Sequence, residues 1–336
     1  MHIWSSIARL FQRRSLQLAP LTLAYAGPDS RELQQVDLFP AEPVSPAHAS
    51  ASSSRSVDGT AGEVGAPPPP PLLIFIHGGA WRSGDKSDHY SMARYLSKRG
   101  VSVALVNYRL STATGGQVLH PAHAQDAFRA VEFLLVEDPK HPPEEWRKTF
   151  DASRTVLVGH SVGAHMVAAM SLNAGSKSTT SEADAVAPMP SLGRQARRRI
   201  RAWVGVSGIY SIISMLRAYP DYISFVEQAF GNGAQKGDAK RYLPASLESW
   251  TLAMPGTYAA PTHNAPKVHL LHSREDELLS VGQTTEAAEH LKRLLETRGG
   301  SVTVDLDSYK GTHDGSLQTE AYFETLLSIL KQEHIL

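Results

Sequence analysis

A pentapeptide, G-H-S-V-G at residues 159–163, stands between an apolar run and a stretch that is compatible with a helix. The run, residues 155–158, is typical of a strand. A strand, a sharp turn and a helix in this order form a nucleophile elbow, which presents a serine hydroxyl at the end of a sheet. The two glycines let the turn tighten and let neighbouring backbone approach closely. We therefore predict that Ser161 is a nucleophile.

Apolar runs alternate with helix-compatible stretches along most of the chain. Strands are predicted at residues 34–40, 72–76, 101–106, 155–158, 202–206, 268–272 and 302–306. Helices are predicted at residues 87–99, 121–136, 281–298 and 317–333. Such alternation implies crossover connections, and hence an α/β fold with a mostly parallel central sheet and helices on both faces. We predict a single domain over residues 29–336.

The first 28 residues differ from the rest of the chain. They contain Arg9, Arg13 and Arg14, and no acidic residue occurs before Asp29. This composition resembles a mitochondrial presequence, and the alternative is a short amphipathic helix that lies on the domain. We expect a cytoplasmic protein, with a mitochondrial location as the alternative.

Two low-complexity inserts interrupt the alternation. Residues 42–71 are rich in alanine, serine and glycine and end in a run of prolines, which predicts an exposed flexible insert. It is either a surface loop between two strands or a segment that docks a peptide. Residues 173–199 end in a basic cluster, which is either an anion site or, as we expect, a solvated loop end.

Composition excludes several classes of function. The chain has no cysteine, which removes disulfides, a cysteine nucleophile and thiolate zinc sites. Lysine plus arginine and aspartate plus glutamate number 33 each, so net charge indicates no nucleic-acid partner. No run of 18 apolar residues predicts a membrane span. We expect no cofactor and no metal, because His120 and His123 lack further ligands at a suitable spacing.

A second motif supplies hydrogen-bond donors. A serine that attacks a carbonyl group needs donors aimed at the oxygen that becomes negative. Directly after the strand at residues 72–76, where α/β hydrolases carry an oxyanion loop, stand His77, Gly78, Gly79, Ala80 and Trp81. We assign the oxyanion hole to the amide groups of Gly79, Ala80 and Val162. His77 and His160 are expected to support the loop and the turn by hydrogen bonding.

The hydroxyl of Ser161 also needs a base, and the base needs a carboxylate that fixes its tautomer. The chain order of serine, acid and histidine in α/β hydrolases points to His313, in a glycine-bounded loop after the last predicted strand. Asp276 follows the strand at residues 268–272 and is the predicted acid. Glu275 and Glu277 are alternatives, because one residue of register error exchanges them. The acidic run is also compatible with an ordinary helix start.

With these motifs the sequence resembles the α/β-hydrolase superfamily over residues 72–330. Within it, the H-G-G-A-W motif at residues 77–81 resembles the H-G-G-x-W signature of kynurenine formamidases (arylformamidases). Residues 107–110, N-Y-R-L, and the extended elbow at residues 159–165 resemble that family too. The resemblance implies a Ser161, Asp276 and His313 triad with oxyanion donors at Gly79 and Ala80. Trp81 replaces the third glycine of related esterases, and it either flanks an aryl substrate or belongs to the core.

The implied reaction is hydrolysis of N-formyl-L-kynurenine to L-kynurenine and formate, in tryptophan degradation and the kynurenine route to NAD. The partner is then a small aryl formamide, and a homodimer is left open. One alternative is a carboxylesterase or lipase-like esterase with another small ester substrate, including a prenylcysteine methylesterase-like enzyme. The other is a catalytically inactive hydrolase fold that acts as a ligand receptor. Receptors of that kind lose the serine or the histidine, and this chain retains both.

Overall fold

The structure, a computed structural model, describes residues 19–27, 32–43, 68–112, 118–136, 143–172, 185–231, 239–252, 265–295 and 298–336. Eight strands form one sheet in the order β1-β2-β4-β3-β5-β6-β7-β8. They are β1 (Leu21–Ala24), β2 (Gln35–Phe39), β3 (Pro71–Ile76), β4 (Ser102–Val106), β5 (Asp151–His160), β6 (Ile200–Val206), β7 (Lys267–Leu271) and β8 (Ser301–Asp305). Strand β2 is antiparallel to both neighbours, and β3 to β8 run parallel.

Nine α-helices lie in the described ranges. They are α1 (Tyr90–Ser97), α2 (Ala122–Leu135), α3 (Glu144–Arg147), α4 (Val162–Ser171), α5 (Arg194–Arg197), α6 (Ile212–Ala218), α7 (Ile223–Phe230), α8 (Gly282–Leu295) and α9 (Glu320–Gln332). Shorter 3-10 segments are Lys86–His89, Pro220–Tyr222, Ala239–Ala245, Leu247–Ser249 and Gly315–Gln318. Within these ranges, none of the helices has the length and apolar character that crossing a membrane requires.

Each face of the sheet has its own core. Because side chains alternate along a strand, Leu72, Ile74 and Ile76 of β3 point to one face and Leu73 and Phe75 to the other. Apolar residues of α2, α4 and α8 cover the first face, and those of α1 and α9 cover the second. The predicted mostly parallel sheet with helices on both faces is therefore confirmed. The continuous apolar strands are explained by this burial on both sides.

The carboxyl ends of the parallel strands define one edge of the sheet, where loops from different strands meet. The predicted functional segments follow four of these ends: the oxyanion loop follows β3, the elbow follows β5, the predicted acid follows β7 and the predicted base follows β8. Strand β5 pairs with β3 on one side and with β6 on the other. Ser161 therefore lies near the middle of the sheet, between the oxyanion loop on one side and the acid and base segments on the other.

The predicted boundary at residue 28 is too late. Leu21–Ala24 forms β1, which pairs with Gln35–Phe39, so this part of the N-terminal segment belongs to the sheet. The strand has only four residues and is partly exposed, so its apolar signal is weak. The presequence or amphipathic helix was predicted within residues 1–28, and residues 1–18 and 28 lie outside the described residues.

The two predicted inserts fall partly outside the described residues, which resume at 68 and at 185. Residues 185–199 do not behave as a solvated loop, because Val186, Met189 and Leu192 are buried. Arg197 is also buried, and its guanidinium donates to the carbonyl oxygens of Leu172 and Leu192. The expectation of a solvated basic cluster is therefore wrong for Arg197, because this cation satisfies buried backbone acceptors.

A helical cap between β6 and β7 was not predicted. It consists of α6, α7 and the 3-10 segments around them, and its buried residues pack with Trp81 in a third cluster. In α7 the buried residues are Phe225, Val226, Ala229 and Phe230, a helical spacing that the sequence does contain. These elements are short, so their sequence patterns are difficult to distinguish from those of loops.

Candidate active site

Ser161 occupies the turn between β5 and α4 in a strained conformation. Its φ of 54° and ψ of −117° place a non-glycine residue in a sparsely populated region, as in a nucleophile elbow. A Cβ atom at Gly163 would lie 2.1 Å from the carbonyl oxygen of Ile76, so helix α4 can pass β3 only with glycine there. The amide of Ser161 donates to the carbonyl oxygen of Val206 on β6 at 2.9 Å. The elbow is thus fixed by both neighbouring strands.

The oxyanion loop lies directly against this serine. A Cβ atom at Gly78 would be 3.0 Å from Cβ of Ser161, so glycine permits the approach. The loop then turns through three successive positive φ angles, at Gly79, Ala80 and Trp81. Within the described residues, the amide groups of Gly79, Ala80 and Val162 meet no hydrogen-bond acceptor. Three free donors next to a serine side chain form an environment suited to an oxyanion.

Tyr108 holds the peptide that carries one of these donors. Its buried hydroxyl lies 3.0 Å from the carbonyl oxygens of both His77 and Gly78, and its ring stacks on the His77 ring at 4.4 Å. In a trans peptide the C=O and N–H groups point in opposite directions. The bond that holds the Gly78 carbonyl therefore also sets the direction of the Gly79 amide. In the sequence, Tyr108 is part of the N-Y-R-L motif at residues 107–110, which does not indicate this role.

Replacing Tyr108 with phenylalanine is expected to lower kcat about tenfold with a smaller change in KM, because the Gly79 amide loses its orientation. Two buried carbonyl groups lose a donor as well, which costs about 1–3 kcal/mol of unfolding free energy. Steady-state kinetics and thermal unfolding measure both effects. The matched control is Tyr25→Phe, which removes a buried hydroxyl bond to the carbonyl oxygen of Asn107 at 2.8 Å and should spare kcat. Equal kcat losses in the two variants would contradict the assignment.

Of the three acidic candidates, Asp276 is the one that meets the predicted base. Its Oδ2 lies 2.7 Å from Nδ1 of His313, although the two residues are 37 positions apart in sequence. Its Oδ1 accepts from the amides of Leu278 and Leu279 at 2.9 and 2.8 Å. Glu277 accepts from the backbone amide of His313 at 2.9 Å, and Glu275 is exposed. Asp276 thus holds the imidazole, and Glu277 holds the backbone of the same residue.

Electrostatics keep Asp276 anionic. Burial alone would raise its pKa, but hydrogen bonds from His272 and His313, the charge of His313 and the Leu279 amide together hold the pKa of Asp276 far below its usual range. A carboxylate in this state accepts a hydrogen bond from the Nδ1–H group of His313. The other nitrogen, Nε2, then carries the lone pair that can take a proton.

His160 and His77 have supporting positions. The ring of His160, directly before Ser161, lies 4.5 Å from the ring of His313 between centroids. Burial, together with the charge of His313, lowers the pKa of His160 well below its ordinary value, so this histidine stays neutral. His77 Nδ1 lies 2.8 Å from the carbonyl oxygen of Gly78, and burial lowers its pKa too. Both side chains lie beside the motif residues that we expected them to support.

One group of side chains beside the serine has the geometry of possible metal ligands. In the described part of the chain, His160, His313 and Asp314 place one ligand atom each within 4.8 Å of one another. The first two line the serine site itself, so a cation there would compete for the lone pair of the base. His120 and His123, which the sequence left without further ligands, instead contact the carbonyl oxygen of Ala187 and the hydroxyl of Ser111, both at 2.7 Å.

Trp81 belongs to the core. Its side chain is 2% exposed and packs edge to face against His165 and Phe230, at centroid distances of 5.7 and 5.2 Å. Phe225 lies near the same indole at 6.3 Å. Of the two interpretations of this tryptophan, the structure therefore supports the core residue. The indole connects the oxyanion loop to the cap.

The chain is similar to several known proteins. The family model described as BD-FAE matches residues 64–291. Kynurenine formamidase from Meyerozyma guilliermondii is 33% identical over 222 residues, 66% of this chain and 71% of that protein. Kynurenine formamidase avaC from Aspergillus versicolor is 29% identical over 262 residues, 72% of this chain and 82% of that protein.

The fold has close counterparts among esterases. A truncated carbohydrate esterase from gut microbiota aligns with a TM-score of 0.62 at 18% identity, and the alignment covers 95% of this chain and 98% of that one. At this identity the likeness shows the fold alone, and it confirms the predicted α/β-hydrolase class. The BD-FAE model matches more than half of the chain, and the matches with the formamidase relatives cover most of the length of those proteins. The chain is therefore an enzyme that belongs to the kynurenine formamidase family of the α/β-hydrolase superfamily.

Proposed function

We propose that this enzyme hydrolyses N-formyl-L-kynurenine to L-kynurenine and formate by acyl transfer to Ser161. The observation that carries the proposal is the 2.7 Å contact between Asp276 and His313, two residues predicted as acid and base from separate loops. Membership of the kynurenine formamidase family supports the substrate. The corresponding role is in tryptophan degradation, on the kynurenine route to NAD. The dimer and the cellular location stay predictions.

In the first half of the reaction Ser161 Oγ bonds to the formyl carbon while its proton passes to Nε2 of His313. The carbonyl oxygen becomes negative and takes hydrogen bonds from the amides of Gly79, Ala80 and Val162. Asp276 stabilises the imidazolium that has formed. When the oxyanion collapses, the C–N bond breaks, and His313 returns the proton to the nitrogen of the departing arylamine.

In the second half a water molecule attacks the formyl ester of Ser161. His313 takes a proton from the water, the same amides hold the new oxyanion, and the bond between carbon and Ser161 Oγ breaks. Oγ takes the proton back from His313, and formic acid leaves and loses its proton to solvent to give formate. An anilide nitrogen is easier to expel than an alkyl amine, so this esterase-type site is suited to an aryl formamide. Ser161 is only 5% exposed, which favours a small acyl group such as formyl.

The deciding experiment compares kcat/KM for N-formyl-L-kynurenine, its N-acetyl analogue and p-nitrophenyl acetate. We expect the formyl compound to exceed the N-acetyl compound by about 10- to 200-fold, since a well-fitted small site discriminates a methyl group by about 1–3 kcal/mol. Turnover of the ester with no formamide activity would retain the serine mechanism and favour the esterase alternative. Absence of turnover on all three would favour the receptor.

A further inference from the structure

His272 is a buried histidine for which the reaction above gives no role. It follows β7 and is fully buried. Its Nε2 lies 2.9 Å from the carbonyl oxygen of Leu279 and 3.3 Å from Oδ2 of Asp276. Its Nδ1 lies 2.7 Å from the hydroxyl of Thr284, a residue on α8 that is also fully buried. The same oxygen of Asp276 is 2.7 Å from Nδ1 of His313, so two imidazoles share one carboxylate oxygen.

These contacts determine where the protons lie. A carbonyl oxygen only accepts hydrogen bonds, so Nε2 of His272 carries the proton and donates to Leu279 and Asp276. The lone pair is then on Nδ1, and the Thr284 hydroxyl donates to it. Both ring nitrogens of His272 are satisfied in this arrangement. Thr284 therefore fixes the tautomer in which His272 faces Asp276 as a donor.

We propose that His272, held by Thr284, is a positioning residue that sets how strongly Asp276 binds the catalytic imidazole of His313. The inference rests on the proposed function, because it assigns Asp276 and His313 the same roles. A donated hydrogen bond draws negative charge from a carboxylate toward the donor. Without it, more charge remains to stabilise the imidazolium form of His313.

The other charged and titratable groups around this pair do not replace the donor. Glu277 accepts from the backbone amide of His313, and Asp314 and His160 lie beside the His313 ring. Burial and the charge of Asp276 raise the pKa of Tyr222 and Tyr309, so both phenols stay neutral. Burial keeps His160 neutral as well. We expect none of these groups to change when His272 is replaced.

The test measures the imidazole pKa of His313 by NMR titration, together with the pH profile of kcat/KM for p-nitrophenyl acetate. In His272→Leu we expect the His313 pKa and the acidic limb of the profile to rise by at least about half a unit. We expect kcat to fall about tenfold with little change in KM, since a base outside its best pKa and position loses part of its contribution. Thr284→Val should shift both quantities in the same direction by less.

Two further variants separate positioning from stability. His272→Gln keeps an N–H donor near the position of Nε2, so the His313 pKa should return toward the wild-type value. His269→Leu is the matched control, because buried His269 lies earlier on β7 and contacts a threonine hydroxyl and a carboxylate in the same way. Its partners are Thr303 at 2.8 Å and Glu333 at 3.0 Å. This control should lower the melting temperature and leave the His313 pKa unchanged.

An unchanged His313 pKa in His272→Leu, with a loss of stability equal to that of His269→Leu, would overturn the proposal. The NMR titration needs no turnover, so it gives an answer whatever the substrate is. A protein that hydrolyses the ester and ignores N-formyl-L-kynurenine would contradict the proposed substrate while leaving the His272 result valid. The two failures are therefore distinguishable.

Discussion

Replacing Ser161 with alanine is expected to lower kcat/KM for the formamide and for an aryl ester by about 10⁵-fold or more, because no other group can take the acyl group. Alanine tolerates the φ of 54° at this position no worse than serine does, so the melting temperature should stay close to that of the wild type. Steady-state kinetics and calorimetry test both parts. Activity above about one per cent of the wild-type value on both substrates would contradict the assignment.

A serine that follows the neighbouring strand provides a matched control. Ser207 follows β6, is fully buried and also has a positive φ, of 43°. Ser207→Ala should stay within a few-fold of wild-type activity, because this serine has no part in the reaction. His313→Ala should approach the loss seen in Ser161→Ala. The double variant should be little worse than either single one, since nucleophile and base act as a unit.

The parts of the site that could be predicted are those with local signals. The elbow and the oxyanion loop follow apolar strands, and glycines mark the close approaches at Gly78 and Gly163. Asp276 was less certain, because Glu275 and Glu277 differ from it by one residue of register. Only the structure distinguishes the three acidic residues. In it the amides of Leu278 and Leu279 hold the Asp276 carboxylate against His313.

The parts that could not be predicted depend on contacts between distant segments. Tyr108 lies in the N-Y-R-L motif, which does not indicate its role, and His272 lies in no motif. The roles that we assign to them follow from the carbonyl groups and the carboxylate that they contact. Strand β1 is short and lies at the edge of the sheet, so its sequence contains too few apolar residues to predict a strand. Trp81 was ambiguous because an indole near an active site suits both a core and a substrate. The unpredicted cap buries it and removes the ambiguity.

Asp276→Asn is expected to lower kcat by about 10³–10⁴-fold, a smaller loss than the one expected for Ser161→Ala. The amides of Leu278 and Leu279 need an acceptor, so they hold the asparagine with its oxygen at the position of Oδ1. The NH₂ group then replaces Oδ2 and faces Nδ1 of His313. A donor there forces His313 into the tautomer that carries its proton on Nε2. That nitrogen cannot accept the proton of Ser161.

Conservative changes at the neighbouring acids are the controls for Asp276→Asn. Glu275→Gln alters an exposed side chain and should leave kcat within about twofold. Glu277→Gln retains an oxygen that can accept from the backbone amide of His313, so its effect should also be small. Kinetics on p-nitrophenyl acetate measure all three, and ¹⁵N shifts of His313 report the tautomer directly. Near-full activity in Asp276→Asn, with a large loss in Glu275→Gln, would transfer the acid role to Glu275.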